Sequence, residues 1–140
     1  MKLMKWLLVG FGVLFLAAAA GFIGIYYWAK SVPSIAMSEA DLAVGGSYPL
    51  EERERLLNAC TRGDLKRTET CNCVADRAGT ELSRYLRLVL TATLEGNTTE
   101  FVGITKGLID SGVPHERIET LEQDADQQFD TLMKACGLEE

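Results

Sequence analysis

With 140 residues and a net charge of −6, the chain has room for one small domain beside any membrane segment. The charge is uneven: Lys2, Lys5 and Lys30 belong to the apolar start, so residues 31–140 hold 14 − 3 = 11 basic against all 20 acidic residues, a net of −9. A surface of that sign disfavours nucleic acid and anionic headgroups, whose long-range attraction is reversed, and it leaves a basic or neutral partner as the easier one to accommodate.

The first element in chain order is the uncharged run Leu7 to Trp28. At about 1.5 Å per helical residue its 22 residues span roughly 33 Å, enough to cross a hydrocarbon core of about 30 Å. Trp6 stands at one end and Tyr26, Tyr27 and Trp28 at the other, where amphipathic rings favour the membrane–water boundary. Lys2 and Lys5 precede the run, so the positive-inside bias keeps the N-terminus in the cytoplasm and exports everything after Lys30. A cleaved signal peptide is the alternative, with Ala18-Ala19-Ala20 as the site. The run is longer than the usual signal core, which favours an uncleaved anchor over residues 1–30. Projected at 100° per residue, Gly10, Val13, Ala17, Ala20 and Gly24 share one face. Such a face admits close packing by another helix, although small residues are common in membrane spans in any case.

Residues 31–49 read as a linker, with Pro33, Gly45-Gly46 and Pro49 and no sustained helical period. Ile35, Met37, Leu42 and Val44 are too apolar for a free tether, so part of the segment is expected on the domain or at the membrane interface.

From Leu50 the period is helical throughout, and the fold class predicted for 50–140 is an all-α bundle of about five helices. Leu50 to Thr61 places Leu56, Leu57 and Cys60 on one side and stops near Gly63. Thr68 to Leu82 places Cys71, Val74, Ala75, Ala78 and Leu82 together, with Gly79 weakening the last turn. Ser83 can cap a third helix through Leu94, so apolar on all sides that it is either central to the core or exposes a patch. Asn97 and Glu100 resemble a capping box for a fourth, with Phe101, Ile104, Leu108 and Ile109 inward and Gly112 at its end. Pro114 opens a fifth, whose stripe of Ile118, Leu121, Ala125, Phe129, Leu132 and Cys136 closes at Gly137.

All four cysteines, Cys60, Cys71, Cys73 and Cys136, fall on the exported side, where an oxidising compartment supports two disulfides. Cys71 and Cys73 are two apart in a helical segment and poorly placed to bond each other. Cys60 and Cys71 lie at similar distances from the turn at Asp64-Leu65, so a helical hairpin brings them level. The preferred pairing is therefore Cys60 with Cys71 and Cys73 with Cys136. Cys71-Asn72-Cys73 with Met133, Cys136 or His115 offers a copper or zinc alternative. It lacks the paired knuckles of structural zinc, and no metal or cofactor is expected.

Asp124 to Asp130 superficially resembles a calcium loop, but Phe129 and Ala135 stand where Gly and Glu are needed. The stretch, with Glu116 and Glu119, reads as a solvated helix face. Arg77, Arg84 and Arg87 could hold an anion, and salt bridges to Glu81 and neighbouring helices account for them better. No motif names a reaction, and no catalytic residue is assigned. The function expected is that of a non-enzymatic, single-pass inner-membrane protein whose periplasmic domain binds a protein partner, as an accessory subunit of a membrane complex. Two alternatives stand beside it: an anchored inhibitor or immunity-type protein using its acidic surface, and a thiol-redox or copper-handling protein using Cys71 and Cys73.

Overall fold

A computed structural model describes the chain over residues 21–138, in two compact units, Met1–Pro33 and Ser34–Glu140. Of the first unit, 21–31 is helical, with the Ser31 hydroxyl donating to the Trp28 carbonyl at 2.7 Å. Phe22, Ile23, Ile25, Tyr26 and Tyr27 are all exposed on it, and Gly24 has open space where a Cβ would stand. Among the described residues no helix is long and apolar enough to cross a membrane. Most of the expected span, including Gly10, Val13, Ala17 and Ala20, lies outside the described residues.

The second unit is all-α among the described residues. Its helices are α1 (Leu50–Thr61), α2 (Thr68–Glu81), α3 (Arg84–Glu95), α4 (Thr98–Asp110) and α5 (His115–Ala135). Short 3-10 turns occupy Glu39–Leu42 and Leu65–Arg67. Local chemistry sets the boundaries. Ser83 caps α3 by accepting from the Leu86 amide at 3.2 Å, and Asn97 caps α4 by accepting from the Glu100 amide at 3.1 Å. Gly96 ends α3 in the left-handed region, at φ 67°, where a side chain would be strained. Pro114 stands just before α5, and its carbonyl accepts from the Arg117 and Ile118 amides.

α3 is the central helix: every residue from Tyr85 to Ala92 is buried. Around it α2 contributes Cys71, Val74, Ala75 and Ala78, α4 contributes Ile104 and Leu108, and α5 contributes Ile118, Ala125 and Leu132. One inward assignment needs correction: Ile109, at the edge of the α4 stripe, is 54% exposed. Cys136, one residue past the end of α5, is half-buried and packs against the core's edge, as Leu121 and Phe129 do.

The segment expected as a linker is, from Ser34 onward, part of the domain. The Ile35 amide donates to the Gly103 carbonyl at 2.9 Å, and Met37 is buried in the core. Gly107, one turn along α4, makes this possible: a Cβ there would stand 1.8 Å from the Ile35 carbonyl oxygen. Further on, Asp41 accepts from the Ser38 amide at 2.7 Å and from Arg84 at 3.3 Å. Burial works against its charge, but these partners outweigh it and hold the carboxyl below its ordinary range. Val44 bridges Ser83, the Gly45 amide donates to the Leu82 carbonyl, and the Tyr48 hydroxyl donates to the Ala75 carbonyl at 2.9 Å. Residues 34–48 are thus a strap across α4, α3 and α2.

Candidate functional site: a basic-edged groove beside the disulfides

Both disulfides close, Cys60 with Cys71 and Cys73 with Cys136, each with Cα atoms 5.7 Å apart. The first locks the α1–α2 hairpin, as the helical register predicts. The second ties the end of α5 back to α2. Cys71 and Cys73 are therefore held by different partners, and no described cysteine is free. His115 pairs with Glu119 at 3.1 Å at the other end of α5. Twenty-one positions of chain, about 30 Å of helix, separate it from Cys136, so the two do not share a site.

The arginines anticipated as a cluster have three different neighbourhoods. Arg77 pairs with Glu81 at 2.7 Å, and Arg84 pairs with Glu52 at 3.1 Å and Asp41 at 3.3 Å. Arg87 forms no ion pair among the described residues: it is 2% exposed, and its guanidinium donates to the carbonyls of Leu82, Gly45 and Ser47. It also lies 4.5 Å from the Tyr48 ring centroid, a cation–π contact. Burial pushes its pKa below the ordinary arginine value. Arg87 is a structural clamp on the strap, not an anion site.

Between the second half of α5, the end of α3 and the α1–α2 turn lies an open groove of about 680 Å³. Leu94, Phe129, Met133 and Leu138 give it an apolar lining, with Cys60 of the first disulfide also at the wall. The charged lining is Arg62, Arg67 and Lys134 against a single carboxylate, Asp130, which pairs with Lys134 at 2.8 Å. Arg62 is the left-handed C-cap of α1, at φ 46°, and its guanidinium donates to the Leu94 carbonyl in the last turn of α3. That one side chain joins two helix ends and borders the groove.

The turn itself is unusual within an acidic domain. Arg62, Lys66 and Arg67 fall within six residues, and none has an ion pair among the described residues, whereas Arg53, Arg55, Arg77, Arg84, Arg117 and Lys134 each hold a carboxylate. Leu65, in the same turn, is 84% exposed. No protein-family model matches the chain, nor does any curated protein or solved structure. The acidic residues of α5 expected to be solvated, Glu116, Glu119, Asp126 and Asp130, are all exposed. No group of three His, Cys, Asp or Glu among the described residues is disposed to hold a metal ion.

The groove was not foreseeable from periodicity, which sends Phe129 inward without saying that its ring ends at an open surface. One signal was present: Arg62, Lys66 and Arg67 form the densest basic stretch of an otherwise acidic segment.

Proposed function

We propose that the protein is a non-enzymatic, single-pass inner-membrane protein whose helical domain, exported to the periplasm, binds a protein partner as an accessory subunit of a membrane complex. The observation that carries the binding role is the groove: apolar side chains at an open surface, framed by two disulfides that hold its walls in register. Pre-organised apolar concavities bind because their ordering cost has already been met in folding. The anchor is supported by the helical segment 21–31, whose row of exposed large apolar side chains is ill suited to water.

The experiment is extraction of the full chain from membranes in mild detergent, followed by purification. A partner retained at fixed stoichiometry is the expected result; a monomer with no recurring partner would overturn the proposal. An inhibitor or immunity-type role has one observation in its favour, the exposed carboxylates along α5, Glu116, Glu119 and Asp126 among them. It requires an affinity that falls steeply with salt and is lost on neutralising Glu116, Glu119 and Asp126.

A further inference from the structure

We infer that the groove receives an acidic, amphipathic helical segment of the partner, its apolar stripe against Phe129, Met133, Leu94 and Leu138 and its carboxylates against Arg67 and Arg62, with Lys66 beside the groove in the same turn. The inference deepens the partner-binding proposal and rests on it.

Charge decides the class of occupant. Over 31–140 the chain carries −9, yet the groove lining holds three cations and one carboxylate. An extended anionic surface, a membrane or a nucleic acid, would meet the acidic remainder of the domain as well as this corner and be repelled by it. A narrow acidic segment touches the corner alone. The overall charge favours basic or neutral partners, and the groove reverses that preference locally.

The placement of the cations supports the same conclusion. Lys66 and Arg67 precede α2, whose N-terminal end carries the positive pole of the helix, so their charge is unfavourable there for folding. Neither has a carboxylate partner among the described residues to offset it. Stability alone would place acids at these positions. A helical ligand with apolar residues at i, i+3, i+4 and i+7 matches an apolar channel edged by charge, the recurring helix-in-groove mode.

The test uses the full chain in detergent micelles and three synthetic peptides of equal length. One is helical with a leucine stripe flanked by Glu, one has the same stripe flanked by Lys, and one is the Glu peptide scrambled to destroy the stripe. Fluorescence titration should show the Glu peptide binding at least about ten-fold tighter than either control, with affinity falling as salt rises. Lys66→Glu with Arg67→Glu should weaken it about ten-fold or more while leaving the melting temperature unchanged or raised, since acids suit a helix N-terminus. Equal binding of the Glu and Lys peptides, equal binding of the scrambled peptide, or displacement of the Glu peptide by anionic phospholipid vesicles would each overturn the inference. A natural partner that co-purifies undiminished with the double variant also overturns it while leaving the partner-binding proposal standing. Absence of any partner from the wild-type chain overturns the broader proposal instead.

Discussion

Arg87 shows how a single residue fixes the domain's shape. A buried guanidinium without a carboxylate is normally expensive, and here three backbone carbonyls and the face of Tyr48 replace part of the solvent it has lost, while its Nε has no hydrogen-bond partner. Arg87→Ala removes the buried side chain and the hydrogen bonds that tie the strap to α3, and should destabilise the domain by about 2–4 kcal/mol. Arg87→Lys retains charge but loses the planar fork, and it should recover only part of that loss in urea unfolding. If the lysine variant proved as stable as wild type, the clamp would be merely electrostatic. The neighbouring Tyr85 gives a pH signature. Burial, helped by the negative charge of Glu122, pushes its phenol up to about 12, whereas an unfolded phenol ionises near 10. Between those values the unfolded chain releases a proton that the folded chain keeps, so stability is intact below pH ~10 and falls as pH rises through the window. Tyr85→Phe should flatten that alkaline loss in melts recorded from pH 9 to 12; an unaltered slope would assign it elsewhere.

At the scale of elements, the strap is the part the sequence concealed. Helix limits were legible because they are punctuated locally: Ser83 and Asn97 cap, Gly96 and Gly112 stop, and the stripe on α2 buries all of Cys71, Val74, Ala75 and Ala78. The cysteine pairing was legible too, since the register of a hairpin brings Cys60 level with Cys71. Residues 34–48 have no period to read. Their hydrogen bonds go to groups as distant in sequence as Gly103, and only the apolar Ile35, Met37, Leu42 and Val44 hinted that they pack; the first three do, and Val44 is exposed. The groove was hidden for the same reason, since it is assembled from α1, α3 and α5. Gly107 tests the strap directly. Gly→Ala inside a helix ordinarily stabilises by about 0.5–1 kcal/mol. Here the added methyl would collide with the Ile35 carbonyl, so Gly107→Ala should lower the melting temperature and speed exchange of the Ile35 amide. A gain in stability would mean that the strap is not seated on α4.

For the whole molecule, the two disulfides carry a large share of the folding free energy that so small a domain can muster. The Cys73–Cys136 bond closes a loop with a sequence separation of 63, against 11 for Cys60–Cys71. Its removal by Cys136→Ser should cost about 2–5 kcal/mol, with Cys73→Ser matching it, while Cys60→Ser pairs with Cys71→Ser. Cys136 is half-buried, so most of the loss should come from the freed chain and little from the exchanged atom; peptide mapping without reduction verifies the bonds themselves. Loss of the longer bridge should also release the end of α5 and with it one wall of the groove. Its effect on binding should therefore exceed that of opening the hairpin bond.

The central claim is that this groove, and not the acidic outer face of α5, is where the partner docks. Photo-crosslinking in intact cells tests it most directly, with the reactive side chain placed at Met133 in the groove or at Glu119 on the outer face. The account predicts one recurring protein adduct from position 133, diminished by Lys66→Glu with Arg67→Glu, and none from position 119. The same adduct from position 119 and none from position 133 would contradict it.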